Sequence, residues 1–172
     1  IHASNTAENI FISDFYIEGC CRAIELEGGV KNVFAERGYI KDIKKYGSGS
    51  GTAFTIDVHS HDNEGGADNI VYRSIVIENS KGFTAHNSGT ENRTADFPRN
   101  IKFEDITIIN PTTNSYIKAH DVTVKHVKII NASSDKGIRI DKYSERVLIE
   151  DVEITGASEG NYVIGVLGDA KN

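Results

Sequence analysis

The chain contains no methionine and no tryptophan, and only two prolines, two cysteines and three leucines. Each scarcity closes a route. Without leucines at a sustained 3.6-residue spacing, neither a helical repeat nor a leucine-rich repeat can be built. The two cysteines, Cys20 and Cys21, are adjacent; a bridge between neighbours is strained, so no disulfide framework is expected, and the pair supplies too few soft ligands for zinc. No run of basic residues occurs and the aromatics are not interleaved with Lys or Arg, while the formal net charge is −6. Nucleic acid is therefore not an expected partner. No apolar stretch reaches membrane-spanning length, so no membrane partner is expected either. The missing methionine leads us to expect a piece of a longer protein, organised over residues 1–172 as a single domain.

What is present is repetition. Six segments align without gaps: Asn9–Gly19, Asn32–Asp42, Asn69–Asn79, Asn100–Asn110, Asp121–Asn131 and Arg146–Gly156. Their second residue is always Ile or Val, and their ninth is Ile17, Ile40, Ile77, Ile108, Ile129 and Ile154. Apolar residues also hold the fourth position and, except at Gly38, the seventh. Alternation that breaks at a two-residue bend and resumes is strand patterning, twice per repeat. Asn79, Asn110 and Asn131 close three successive segments. Asn tolerates left-handed turns, and its amide can bond to an amide on the next rung, so these residues are expected to form a ladder.

A third short strand is expected after each turn: Ala23–Glu27, Phe54–His59, Phe83–His86, Ile117–His120, Ile138–Asp141 and Val163–Leu167. Three strands per repeat predict an all-β, right-handed parallel β-helix of about six rungs. Open ends of such a stack need a cover, which a homotrimer or flanking domains would supply. Taking Ile24/Leu26, Ile56/Val58, Phe83/Ala85, Ile117/Ala119 and Ile138/Ile140 as inward pairs leaves two outward columns. The first reads Glu25, Asp57, Thr84, Lys118, Arg139; the second reads Glu27, His59, His86, His120, Asp141. His61 follows just beyond the second of these strands. Column neighbours would stand about 4.8 Å apart, so Arg139 would depress the pKa of Lys118 and favour a free amine. Such an amine could remove the proton beside a uronate carboxylate that Arg139 clamps.

On this pattern the chain resembles the pectin-lyase-like β-helix superfamily, which includes polysaccharide lyases, polygalacturonase-type hydrolases, uronan epimerases and phage tailspike depolymerases. The Lys118–Arg139 arrangement is similar to that of calcium-dependent chondroitin and alginate lyases. Those families place acidic ligands ahead of the Lys, where this chain reads Asn110-Pro111-Thr112-Thr113-Asn114, so no cofactor is expected. Asp57-Val58-His59 resembles the Asp-Pro-His core of mannuronan C5-epimerases, with Phe54 at the tyrosine slot. Either likeness implies an acidic polysaccharide as partner and a secreted or virion-surface location.

The candidate catalytic residues are accordingly Lys118, Arg139, His86, His120, Asp57 and His59. Glu25, Glu27, Asp141 and His61 are candidate substrate-binding residues. In-register histidines point outward side by side, so no metal site is expected from that column. A glycosidase using two of the carboxylates is the rival chemistry, and a non-catalytic glycan-binding shaft is the rival role. The segments Lys44–Thr52, His61–Asp68 and Asn87–Arg99 are expected to wall a groove as loops.

Overall fold

The computed structural model describes residues 1–4, 6–44, 51–58, 65–87, 97–133, 136–157 and 163–167. These residues form thirteen strands and no helix. Six long strands, β2 (Glu8–Glu18), β4 (Lys31–Lys41), β6 (Asp68–Glu78), β8 (Arg99–Ile109), β10 (His120–Ile130) and β12 (Glu145–Ile154), lie side by side in sequence order. The short strands β1 (His2–Ala3), β3 (Arg22–Glu27), β5 (Thr52–Val58), β7 (Lys81–Asn87), β9 (Ser115–Ile117), β11 (Ile138–Ile140) and β13 (Ile164–Val166) form a second sheet, also in sequence order. The pairings are parallel throughout. Long and short strands thus alternate along the chain while each kind stacks on its own kind, an arrangement consistent with a parallel β-solenoid.

The six repeated segments coincide with the long strands, and their first, sixth and eleventh residues all have positive φ. Asn, Asp and Gly hold most of these positions, as the left-handed region requires. Arg37, Ser74, His126 and Arg146 are the departures. The sixth-residue corner explains the sequence pattern: it displaces the alternation by one residue, so positions two, four, seven and nine point inward. In β6 these are Ile70, Tyr72, Ile75 and Ile77, all buried. Burying each such aliphatic side chain is worth about 1.5–3 kcal/mol. Aromatic rings extend the core between the sheets, with Phe54 stacked on Tyr72 at 4.2 Å, Tyr72 on Phe103 at 5.7 Å and Phe103 on Phe83 at 4.0 Å.

Gly38, the gap in the seventh-position column, is filled from the neighbouring strand. The Phe15 ring reaches across, so a Cβ on Gly38 would meet its Cζ at 2.1 Å. The expected amide ladder is present: Asn110 Nδ2 donates to Asn79 Oδ1 at 3.0 Å, and Asn131 Nδ2 donates to Asn110 Oδ1 at 2.9 Å. Asn79 continues it to Asp42 at 2.9 Å. A second ladder runs along the first-position corners, from Asn69 to Asn32 at 2.9 Å and from Asn32 to Asn9 at 3.1 Å. Both cysteines are free, Cys20 donating to the Arg22 carbonyl at 3.1 Å.

At the two outer long strands the inward residues are only partly buried: Ile10, Ile12, Phe15 and Ile17 on β2, and Val147, Ile149, Val152 and Ile154 on β12. The packed centre therefore lies in β4 to β10 and the short strands beside them.

Candidate functional site

The short-strand sheet carries the candidate chemistry, and its register decides which residues meet. Glu25 pairs with Thr55, Thr55 with Thr84, Thr84 with Tyr116, and Tyr116 with Arg139. The first outward column is therefore Glu25, Thr55, Thr84, Tyr116, Arg139, ending at Gly165. Glu27 pairs with Asp57 and Asp57 with His86. The backbone bonds from Lys118 N to Ala85 O and from Asp141 N to Ile117 O, each 2.7 Å, set Lys118 beside His86 and Asp141 beside Lys118.

Two strands thus sit two residues away from their expected alignment. Asp57 belongs to the second column, and Lys118 stands between His86 and Asp141 in that column instead of adjoining Arg139. On β9 the observed register brings Ser115, a polar residue, to an inward position, where its Oγ accepts from Phe83 N at 3.3 Å in space that the bare Gly82 leaves open; on β5 it sets Phe54 beside Phe83. His120 leaves the short-strand sheet altogether and opens β10, where it pairs with Arg99 and Glu145. A column of three histidines is therefore not formed. His59 and His61 lie outside the described residues, as do residues 45–50, 61–64 and 88–96 of the expected loop walls.

What the fold brings together is a patch on β7, β9 and β11. Tyr116 Oη donates to Asp141 Oδ2 at 2.6 Å. Burial, then the bond to that carboxylate, raises the Tyr116 pKa well above its ordinary value, so the phenol stays protonated and serves as a donor. The His86 ring tilts against Tyr116 at 6.2 Å. Lys118 Nζ lies 5.8 Å from the centre of the Phe97 ring and 5.4 Å from that of Tyr143. On Phe97 the His120 ring also stacks, at 4.8 Å, which keeps His120 at the margin of the patch. Asp141 Oδ1 accepts from Tyr143 N at 3.1 Å, fixing the carboxylate that receives the phenol.

Among the described residues, the Lys118 ammonium and the Arg139 guanidinium form no side-chain hydrogen bond or ion pair. A cation held on aromatic rings remains available to an anion. Arg139 also lines a cleft with Asn114, Ile138, Ile164, Gly165, Val166 and Leu167, and none of the described residues lies within 4 Å of where a Gly165 side chain would begin. Space for a ligand group therefore adjoins the guanidinium. Thr84 is 4% exposed, and its outward hydroxyl has no hydrogen-bond partner.

Glu25 and Glu27 stand apart from this patch, on β3. Arg22 pairs closely with Glu25 and lies 3.9 Å from Glu27, while His2 Nε2 is 3.1 Å from Glu27 Oε2. Tyr116, Phe97 and Tyr143 escaped the sequence reading. Aligning Phe54 with Phe83, the two large inward aromatics, would have set the register of β5, and Tyr116 comes into view only when Ile117 is aligned with Ala85.

Comparison of the chain with protein-family models, with curated proteins and with solved structures finds no match.

Proposed function

We propose that this chain is a carbohydrate-active module acting on an acidic polysaccharide, by β-elimination or by proton exchange at the carbon beside a uronate carboxylate. The finer architectural reading belongs with it: a three-faced, right-handed parallel β-helix of the pectin-lyase-like kind, whose short-strand face carries the sugar chain. The three left-handed corners in every long segment support three faces, and the right hand follows from the preference of parallel crossovers.

One observation carries the functional reading. Two cations without ion partners among the described residues, Lys118 and Arg139, flank the Tyr116–Asp141 hydrogen bond on one face. In this reading Arg139, beside the open space at Gly165, holds the uronate carboxylate, and withdrawing charge from it acidifies the neighbouring C–H. Lys118, acting as its free amine, is the base and leaves the step as the ammonium, with His86 beside it and Asp57 one strand further along the same column. Tyr116, whose one hydroxyl proton rests on Asp141, turns that proton to the leaving oxygen or to the opposite ring face, and the phenolate it leaves is reprotonated from solvent. His120, set apart by Phe97, borders the sugar path. No metal is required by this set of residues. The glycosidase alternative is less well supported, because Asp141 is engaged by Tyr116, and Glu25 and Glu27 by Arg22 and His2.

The test is incubation with a panel of uronate polymers, following the ultraviolet absorbance of an unsaturated product and, separately, solvent-deuterium uptake at the sugar carbon. Activity that falls at least 100-fold in Lys118→Ala and in Arg139→Ala, with folding intact by circular dichroism, supports the reading. Full activity in Lys118→Ala, or reducing ends without unsaturation or exchange, overturns it. No turnover together with unchanged glycan binding in both variants would favour a non-catalytic shaft.

A further inference from the structure

The asparagine ladder has an open end. Asn131 donates to Asn110 at 2.9 Å, Asn110 to Asn79 at 3.0 Å and Asn79 to Asp42 at 2.9 Å, each through one N–H of its amide. A side-chain amide carries two such hydrogens, so a second N–H on each is left over. The next long segment closes with Gly156, which lies against the Asn131 backbone and has no side chain to add. Among the described residues, Asn131 Oδ1 therefore accepts no ladder bond.

The three amides line an open groove of about 420 Å³ together with Thr112, Ser133 and Lys136. That volume lies within the roughly 300–1,000 Å³ of small-molecule sites. The lining departs from the charge of the chain as a whole. Net charge is −6, yet no carboxylate among the described residues lines the groove. Nor does the Lys136 ammonium have an ion partner among them.

The groove adjoins the short-strand face. Asn114 Oδ1 accepts from Gly137 N at 2.7 Å, and Ser115 N donates to Gly137 O at 2.9 Å, so the turn before β9 is clamped to the turn before β11. Those two turns supply Thr112, Ser133 and Lys136 to the groove, while Asn114 lines the Arg139 cleft. Groove and cleft thus share one turn, residues 110–114.

We infer that the groove is a second, non-catalytic subsite for an acidic saccharide, an assignment that rests on the polymer proposed above as ligand. Amides and hydroxyls, which both give and accept hydrogen bonds, match the hydroxyls of a sugar ring. One ammonium among neutral donors matches one carboxylate. A polymer crossing the shared turn engages groove and cleft together, so the second contact raises affinity without taking part in the chemistry.

Isothermal calorimetry with hexamers of galacturonate, alginate and hyaluronan tests the subsite, in a Lys118→Ala background with wild-type turnover followed alongside. At least one hexamer should bind. Its Kd should rise about five-fold in Lys136→Ala, the scale of one exposed ion pair, and further in Ser133→Asp, which sets a carboxylate in the groove. Lys136→Arg should keep the affinity, and the Lys136→Ala loss should vanish in about 1 M salt. No binding of any hexamer at millimolar concentration, or unchanged Kd in folded Lys136→Ala, overturns the subsite. Wild-type turnover with Kd unchanged in Lys136→Ala sinks the groove and spares the active-site reading. A weakened Kd in Lys136→Ala without wild-type turnover does the reverse.

Discussion

Tyr116 and Asp141 are joined by a 2.6 Å hydrogen bond that runs diagonally between the two outward columns of the short-strand sheet. The bond orients the phenol and, with its raised pKa, keeps the hydroxyl protonated. Tyr116→Phe is expected to cut turnover on a uronate polymer at least 100-fold while leaving KM within about three-fold. Steady-state kinetics on the folded variant reads the split. Equal losses in kcat and in binding would place Tyr116 in substrate recognition instead.

Of the four phenols with raised pKa values in the folded chain, Tyr16, Tyr39, Tyr72 and Tyr116, two owe the shift chiefly to burial: Tyr72, and Tyr116, where Asp141 adds to it. In the unfolded chain both ionise near the ordinary value of about 10. A raised folded pKa means that the native state keeps a proton the unfolded state releases, so the contribution is complete below pH 10 and declines as pH rises above it. Thermal melts between pH 9 and 12 should show a steeper loss of stability in the wild type than in Tyr72→Phe or Tyr116→Phe. Parallel slopes would contradict the assignment.

At neutral pH, Tyr72→Phe has a second consequence. The Tyr72 hydroxyl is buried in the aromatic stack without a hydrogen-bond partner. Removing it while keeping the ring should stabilise the fold by about 1 kcal/mol, since an unpaired buried hydroxyl costs about 1–3 kcal/mol. Urea unfolding at pH 7 measures the difference, and a loss of stability would mean that the hydroxyl has a partner in solution.

Phe15 and Gly38 form a complementary pair across adjacent strands. Gly38→Ala should destabilise by about 1–3 kcal/mol through overpacking. Phe15→Leu, which shortens the intruding side chain, should recover much of that loss in the double variant. Additive effects in the double-mutant cycle would show that the two positions do not share one space.

Asn110 sits in the middle of its ladder with φ near 51°, giving one amide bond and receiving another. Asn110→Gly removes both bonds but keeps the left-handed corner accessible, and should cost about 1 kcal/mol. Asn110→Ala adds conformational strain and should cost about 2 kcal/mol. Chemical unfolding of the two variants separates the amide contribution from the backbone contribution.

The long strands were legible in the sequence because burial and corner chemistry repeat there at fixed offsets. Ile at the ninth position and Asn, Asp or Gly at the eleventh can each be read without knowing the loops. The short strands follow connections of unequal length, so nothing local pins their start. Alternation has period two, so a slip of two residues keeps every side chain on its expected face while moving it into the neighbouring column. Asp57 and Lys118 moved in this way, and the supposed Lys118–Arg139 neighbours became Lys118–Asp141 and Tyr116–Arg139. His120 was misplaced for a different reason: the strand after Ile117 ends early and the next long strand begins on it. The Phe15–Gly38 exchange was invisible because an absence at one position is compensated on another strand.

The left-handed corners at the first, sixth and eleventh residues of every long segment hold the backbone to one path regardless of how much chain is inserted between segments. Side chains on the short-strand sheet are therefore presented at a constant pitch of about 4.8 Å, the spacing of paired strands. Such a face acts as a ruler. A polymer laid along it, with repeat units comparable in length to that pitch, would meet a new pair of side chains at each unit, so specificity can be written rung by rung without altering the scaffold.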